Sequence, residues 1–210
     1  MIRLYYAPGG CSRAPHIALE EAGADFEAVR LDFQRGEQRG PEYLAINPKG
    51  RVPALVTDQG LLTECVAILA WIAQSWPQAR LAPLDDPWAF AQVQSFNAFL
   101  ASSVHVAYAH VSRPGRYADG ADAAAAMLAK APEALGGFFA LIEAQLADGR
   151  PFVHGDGFTI SDPYLFVMTG WVFGRSLVDP KAVPRVASHH ARISERPAVI
   201  RVLAREASEA

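Results

Sequence analysis

The sequence predicts a fold in two parts, in which an α/β sandwich with a mixed sheet precedes a half built of helices alone. Up to residue 76, segments with strand patterning alternate with segments of helical spacing, in the order β-α-β-α-β-β-α. Such alternation is typical of an α/β layer architecture. Beyond a proline-containing connection at residues 81–86 we find only helical periodicity. We therefore predict one domain at residues 1–80 and a second, helical domain at residues 87–210.

Turn residues and apolar spacing justify the elements of the first domain. Residues 2–6 are apolar or aromatic and stop at a Pro-Gly-Gly turn, which predicts a strand. Apolar residues recur at helical spacing over residues 12–22, and Gly23 supplies a C-terminal stop. The remaining predicted elements of this domain are a strand at 26–31, a short helix at 41–46, strands at 50–56 and 61–62, and a helix at 64–76.

Helical periodicity alone describes the second domain. A long helix is predicted at 88–109, followed by a basic, glycine-containing loop. Another long helix is predicted at 121–146, and Pro132 is expected to kink or split it. Thr159 and Asp162 have the spacing of a capping box, with Asp in place of Glu, at the start of a buried helix. Two shorter helices are predicted near 183–193 and 197–205.

Composition limits the class of protein. Of the 210 residues, 51% are hydrophobic and 20% are charged, which is the balance of a soluble globule with a sizeable core. A formal net charge of −3 provides no overall field that would attract nucleic acid. The N-terminus lacks the pattern of a signal peptide, and the apolar stretches look too short and too often broken to span a bilayer. We therefore expect a soluble, cytoplasmic protein without a membrane or nucleic-acid partner.

Cys11 follows the first strand and its glycine turn, where the next helix is predicted to begin. The unpaired N–H groups and partial positive charge of a helix N-terminus stabilise a thiolate and lower its pKa. The alternative is that Cys11 is a small buried hydrophobic residue. Ser12 could donate a hydrogen bond to a thiolate, or cap the helix. Because side chains alternate along a strand, either Tyr5 or Tyr6 is expected to face this site.

Two later segments could complete a pocket around Cys11. A cis bond between Val52 and Pro53 would expose the backbone groups of Val52 to an extended, peptide-like ligand. Glu64 and Cys65 begin a predicted helix, where the Cys65 N–H could bind a carboxylate and Glu64 could bind an ammonium group. Alternatively, these residues are only an acidic first turn that complements the helix dipole.

The cysteines and histidines predict free thiols and no metal site. Cys11 and Cys65 are far apart in sequence and form no Cys-x-x-Cys pair. The six histidines show no zinc-binding pattern, although His105 could lie near a site on the long helix. Arg113 and Arg116 belong to the predicted basic loop, either as solvated side chains or as ligands of an anionic substrate.

Taken together, these motifs resemble the cytosolic glutathione transferase family over essentially the whole chain, and its bacterial beta class in particular. The matching segments are YYAPGGCS followed by PHIALEE, then YLAINPKGRVPAL, and the SSVH run that ends at His105. The resemblance implies a thioredoxin-like, glutathione-binding first domain. It also implies that the helical second domain carries the electrophile pocket and part of a homodimer interface.

The resemblance further implies roles for the matched residues. Cys11 would face the sulfur of glutathione and could form a mixed disulfide with it. Val52, before a cis Pro53, would pair with the backbone of the glutathione cysteine, and Glu64 and residue 65 would hold the γ-glutamyl end. The predicted catalytic residues are Cys11, Ser12, Tyr6 and His105, and the predicted glutathione-binding residues are Val52, Pro53, Glu64, Cys65 and Ser102.

Ser102 and His105 belong to the run that resembles a beta-class helix segment. There the histidine would lie near the bound thiol and the serine would reach the ligand of the partner subunit. The chain departs from the family pattern at Cys65, where serine is usual, so a hydroxyl contact to the γ-glutamyl carboxylate is lost. It also departs at Val106, where the beta class often has lysine, and at Ala98, where asparagine is expected.

The function that this resemblance implies is conjugation of the glutathione thiol to a small hydrophobic electrophile, as in detoxification. Glutathione would then be a co-substrate, with no metal. The alternatives are glutathione-dependent thiol–disulfide exchange through Cys11, a non-enzymatic glutathione-binding protein of the same fold, and a glutathione-dependent isomerase or dehalogenase.

Overall fold

The computed structural model describes residues 1–208, so the last two residues of the predicted second domain lie outside the described residues. The first part of the chain forms a four-stranded sheet in the order β2-β1-β3-β4. The strands are β1 (Ile2–Tyr6), β2 (Phe26–Arg30), β3 (Ala54–Thr57) and β4 (Gly60–Thr63). Strand β1 pairs parallel with β2 and antiparallel with β3, which in turn pairs antiparallel with β4. The sheet is mixed, as predicted.

Helices cover this sheet because its strands are apolar on both faces. The helices of this part are α1 (Arg13–Ala22), α2 (Pro41–Ile46) and α3 (Cys65–Ser75). Leu4 and Leu55 are fully buried with apolar residues of α1 and α3. The alternate residues Tyr5 and Ala54 pack with Tyr43 of α2 in a separate cluster. This period-two alternation is what the sandwich prediction requires.

After Ala79 the described chain consists of helices and their connecting loops, with one isolated β-bridge between Phe152 and Gly155. They are α4 (Pro87–Phe99), α5 (His105–Ser112), α6 (Ala121–Gln145), α7 (Ser161–Gly174), α8 (Pro184–Ser194) and α9 (Pro197–Ser208). The buried cores of the two parts are continuous, because one cluster contains residues of α1, α3, α4, α6 and α7. The predicted fold class, an α/β part followed by a helical part, is confirmed.

A π-helical turn, Leu100–Val104, divides the long helix that the sequence predicts at 88–109. It joins α4 to α5 without a loop, and His105 is the first residue after it. An extra residue in a helical turn changes the direction of the side chains that follow, and such turns occur frequently at functional sites. Apolar periodicity alone does not reveal this turn.

Helix α6 is continuous through Pro132, so the expected kink or split is wrong. Proline has no N–H, so the carbonyl group of Leu128, four residues earlier, lacks its helical hydrogen bond. Both Leu128 and Pro132 are on the exposed side of the helix. By length and composition α6 is long and apolar enough to cross a membrane, a test that helices of soluble proteins also meet. No other helix within the described residues meets both criteria.

The capping box at the start of α7 is confirmed. The Asp162 carboxylate accepts hydrogen bonds from the Thr159 backbone N–H at 2.7 Å and from its hydroxyl at 3.0 Å. Its other oxygen accepts from the Val153 N–H at 2.9 Å and lies 2.8 Å from His189 Nε2. All four hydrogen-bonded groups are buried, so the box anchors a helix that passes through the centre of the second part.

Candidate active site

A cavity of about 190 Å³ lies between the two parts of the molecule, at the turn that follows β1. The predicted site residues that line it are Cys11, Val52, Pro53, Glu64, Cys65 and His105. A larger cavity, of about 620 Å³, lies between α4 and α6, and none of the predicted site residues lines it. The smaller cavity is the candidate site because it contains both thiols of the chain.

The turn that holds Cys11 is tight and depends on glycine. Gly9 has a φ of +68°, in the left-handed region. A Cβ on Gly10 would lie 3.0 Å from the Ala7 carbonyl oxygen, so this position has no room for a side chain. Helix α1 begins at Arg13, which places Cys11 two residues before it. The cysteine therefore lies close to the helix N-terminus, as predicted.

Several groups contact the Cys11 thiol. It donates a hydrogen bond to the Val52 carbonyl oxygen over 3.3 Å. A hydrogen bond from the Cys65 side chain lowers the pKa of Cys11, and the Cys11 backbone N–H and the charge of Arg113 lower it further. Burial and the Glu64 carboxylate act in the opposite direction. The net result is a thiol that ionises more readily than an ordinary cysteine.

Cys65, the first residue of α3, is buried beside Cys11. Its thiol donates to the Cys11 carbonyl oxygen over 3.5 Å. The hydrogen bond with Cys11, together with burial, raises the pKa of Cys65 well above its usual value. On the other side, the Cys65 thiol forms a hydrogen bond with the side chain of Tyr164 in α7. The three groups thus form a chain of contacts across the two parts of the molecule.

The predicted cis bond between Val52 and Pro53 is present, and both residues line the cavity. Next to them, Glu64 has a φ of +75°, which is uncommon for a residue other than glycine. Its carboxylate accepts from Lys49 Nζ at 2.6 Å, and the same ammonium group contacts the Thr63 hydroxyl at 2.8 Å. Both ends of this ion pair are solvent-exposed, so it contributes little stability and can be exchanged for a ligand's ammonium group.

His105 lines the cavity from the helical part. Its ring packs against that of Trp171, with centroids 4.9 Å apart, and Trp171 stacks on Tyr108 at 4.7 Å. Burial and the charges of Arg113 and Arg51 lower the pKa of His105 to about 4. The imidazole is therefore neutral at pH 7 and adds no positive charge to the site.

Three predicted site residues lie elsewhere. Ser12 is fully buried, and its hydroxyl bonds to the Ala7 backbone N–H at 3.1 Å, so it neither faces the cavity nor caps α1. Tyr6 is also fully buried and packs on His16, with ring centroids 4.9 Å apart. Neither side chain therefore lines the cavity, and the catalytic roles predicted for Ser12 and Tyr6 stay predictions. Ser102 is exposed on the π-helical turn and does not line the cavity.

The sequence did not indicate how many basic residues surround the cavity. Arg51, Lys49 and Arg116 line it, and Arg113 lies over the Phe33 ring at 5.4 Å. Burial and repulsion from Arg113 and Arg51 lower the pKa of Arg116, which indicates a crowded group of positive charges. A basic loop was recognisable in the sequence, but nothing local to it indicates that it folds over the first domain. Within residues 1–208, no group of three or more His, Cys, Asp or Glu side chains could hold a metal ion.

Comparisons with known proteins match both parts of the chain. The family described as Glutathione S-transferase, N-terminal domain, matches residues 2–74, and the family described as Glutathione S-transferase, C-terminal domain, matches residues 114–205. The chain is 34% identical over 208 residues to Glutathione S-transferase GstA of Escherichia coli O157:H7, covering 98% of each protein.

Solved structures agree with these matches. A glutathione transferase homologue from Sulfitobacter, solved with bound glutathione, is similar with a TM-score of 0.91 and 41% identity, covering 98% of each chain. A bacterial beta class glutathione S-transferase from Sphingomonas chungbukensis is similar with a TM-score of 0.84 and 37% identity, covering 97% of this chain and 98% of the other.

Proposed function

Because this chain belongs to the glutathione S-transferase family, we propose that its cavity binds glutathione and conjugates the glutathione thiol to a small hydrophobic electrophile. The observation that carries this proposal is the meeting of Cys11, Val52 and Cys65 with His105 at one cavity. The first three come from the sheet-containing part and the last from the helical part. A tripeptide thiol bound to the first part would thus present its sulfur to the second.

Each end of glutathione has a chemically matched partner in this cavity. The γ-glutamyl carboxylate would lie at the N-terminus of α3, where it could accept a hydrogen bond from the Cys65 backbone N–H. The γ-glutamyl ammonium group would bind the Glu64 carboxylate. The cysteinyl backbone would extend along Val52. Lys49 and Arg51 are the positive charges available for the glycyl carboxylate.

The positive charges at the cavity would ionise the bound thiol. A neutral His105 cannot stabilise a thiolate as an imidazolium would, and with a pKa of about 4 it is a poor acceptor for the thiol proton. Arg116 and Arg113 supply the positive potential instead. Lowering the pKa of a thiol from roughly 9 towards 7 increases its thiolate fraction at neutral pH by well over tenfold. The proton leaves to solvent, and the thiolate attacks the electrophile.

Thiol–disulfide exchange is a second candidate, and the lowered pKa of the Cys11 thiol favours it. Substituting Cys11→Ala separates the two activities. Conjugation by the glutathione thiol should survive within about tenfold, a loss of roughly 1.4 kcal/mol, because only a contact is removed. Exchange should disappear because its nucleophile is gone.

Two assays test the proposal. The first measures whether the protein is retained on immobilised glutathione, and the second measures how fast the protein consumes the glutathione thiol in the presence of an activated chloronitroarene. Retention with accelerated conjugation supports a transferase. Retention without acceleration favours a binding protein, an isomerase or a dehalogenase of the same fold. If the protein is not retained and accelerates nothing, the proposal is wrong.

We also propose that the protein is a cytoplasmic homodimer that detoxifies electrophiles, with the boundary between its domains at residues 81–86. Exposed apolar side chains on the helical part support a dimer: Leu128 and Leu141 of α6 are 52% and 63% exposed. Leu141 also lines the 620 Å³ cavity between α4 and α6. A second copy covering this cavity would bury Leu141, and the resemblance implies that Ser102 then reaches the partner's ligand.

A further inference from the structure

Two free thiols meet in the candidate site although 54 positions separate them in the chain. The Cys65 thiol is 3.5 Å from the Cys11 carbonyl oxygen, and each thiol shifts the pKa of the other. Both residues line the same cavity. Conjugation by the glutathione thiol uses only the backbone N–H of Cys65, and neither conjugation nor single-cysteine exchange through Cys11 uses the Cys65 thiol.

We propose that Cys65 is a resolving thiol for Cys11, so that the pair cycles between a dithiol and an intramolecular Cys11–Cys65 disulfide at the expense of a glutathione-containing disulfide. The inference rests on the proposed function in so far as the cavity must admit glutathione. The inference adds a second redox-active thiol to that site. The pair can then be oxidised by two electrons to an intramolecular disulfide, which a single cysteine cannot form.

The cycle balances with oxidised glutathione as the oxidant. The Cys11 thiolate attacks one sulfur of the glutathione disulfide, its S–S bond breaks, and one glutathione thiolate leaves. The Cys65 thiolate then attacks the Cys11 sulfur and displaces the second glutathione. One disulfide is reduced to two thiols while the protein dithiol is oxidised, and the two cysteine protons end on the two glutathione thiolates. Two molecules of a reduced thiol, such as glutathione, return the protein to the dithiol by the reverse steps.

The position of Cys65 suits the second step. Because Cys65 Sγ contacts the backbone of Cys11, the two thiols are neighbours, and a local approach would bring them to the S–S distance of about 2.05 Å. Cys65 begins α3, and the first bond of this helix runs from the Ile68 N–H to the Glu64 carbonyl oxygen over 3.0 Å. The N–H groups of residues 65–67 therefore lack partners within the helix, and the positive end of the helix dipole at Cys65 favours an anion there. Tyr164, hydrogen-bonded to the Cys65 thiol, provides a further donor to that anion.

The order of the two steps also follows from the contacts. In the dithiol, the hydrogen bond with Cys11 and the negative charge of Cys11 hold the pKa of Cys65 high, and Cys11 is the thiol that ionises first. Once Cys11 is joined to glutathione its charge is gone, and these two causes disappear. Burial and Glu64 remain, while Tyr164 favours the thiolate. The Cys65 thiol therefore ionises more readily after Cys11 has reacted than before.

The experiment measures the intact mass of the reduced full-length chain after treatment with glutathione disulfide and trapping of remaining thiols with an alkylating agent. The wild-type chain should lose two hydrogen atoms and take up no alkyl group, and dithiothreitol should reverse the change. Cys65→Ser, which keeps a hydrogen-bonding group of similar size, should instead hold one glutathionyl group. Cys11→Ser should retain one alkylated thiol and no glutathione.

Hydroxyethyl disulfide, used in parallel, separates this inference from the proposed function because it needs no glutathione site. If the disulfide forms with hydroxyethyl disulfide alone and the protein is not retained on immobilised glutathione, the thiol pair is supported and the glutathione site is wrong. If the wild-type chain keeps a stable single adduct or two alkylated thiols with both oxidants, the resolving role of Cys65 is overturned, whether or not glutathione binds.

Discussion

The indole Nε1 of Trp171 donates a hydrogen bond to the backbone carbonyl oxygen of Gly9 over 2.8 Å. This contact joins α7 of the helical part to the turn that carries Cys11. The same indole packs against His105, so one side chain positions groups on both sides of the cavity. The Glu206 carboxylate of α9 contacts the same turn, where it accepts from the Gly9 N–H at 2.8 Å.

Trp171→Phe should weaken catalysis while leaving the fold intact. Phenylalanine retains a ring against His105 but leaves the Gly9 carbonyl without its indole donor. We expect kcat/KM for conjugation to fall about fivefold, which corresponds to a lost hydrogen bond of about 1 kcal/mol. Trp88→Phe on α4 is the matched control because Trp88 is 74% exposed, and it should leave kcat/KM unchanged. Equal effects of the two substitutions would contradict the role of the contact.

Arg116→Gln should move the pH dependence of conjugation upwards. Removing a positive charge at the cavity raises the pKa of a bound thiol, so the loss of kcat/KM is largest at low pH. We expect about a tenfold loss near pH 6.5, equivalent to one unit of thiol pKa, and near wild-type rates above pH 9. Lys181→Gln, which removes an exposed charge before α8, is the control. A loss that is uniform across pH would argue against thiol ionisation as the cause.

His16→Gln should reduce the acid sensitivity of the fold. Burial and the charge of Arg205 lower the pKa of His16 from 6.5 to about 3. Between these values the unfolded chain binds more protons than the folded chain, so the free energy of unfolding falls as the pH is lowered through this window. In the variant, the loss of stability between pH 7 and pH 5 should shrink by about 1 to 2 kcal/mol. Urea unfolding at the two pH values measures it, and an unchanged difference would refute the assignment.

Leu141→Arg should convert the proposed homodimer to a monomer. A guanidinium on the outer side of α6 would be buried without a partner if a second copy covers that side. Light scattering after size-exclusion chromatography should show half the mass of the wild-type protein. Ile200→Arg is the matched control, because Ile200 is 53% exposed on α9, which packs mainly against α1 and α8. A monomeric wild-type protein, or a variant that remains dimeric, would remove the basis of the dimer proposal.

Local patterns predicted three of the structural features because their causes lie within a few residues. The Pro-Gly-Gly turn, the start of α1 and the capping box at Thr159 each depend on neighbouring turn chemistry or spacing. The π-helical turn before His105 was missed because it leaves the apolar periodicity nearly intact. The kink at Pro132 was wrongly predicted because the energetic cost of a proline within a helix depends on whether it lies on the solvent-exposed side.

The roles of individual side chains required the tertiary structure. Tyr6 and Ser12 adjoin Cys11 or its turn in sequence, yet Tyr6 packs into the core and Ser12 bonds within the turn. A residue next to Cys11 in sequence need not point into the cavity, because segments far along the chain form the other walls of that cavity.

By itself, the sequence determined the two-part architecture, the position of Cys11 near a helix N-terminus and the resemblance to glutathione transferases, since spacing and short motifs encode them. The tertiary structure alone decided that Cys11 lies against Cys65, that basic side chains surround the cavity, and that His105 stays neutral. The physical reason is that a thiol or an imidazole takes its pKa from burial and nearby charges, and segments far along the chain supply both.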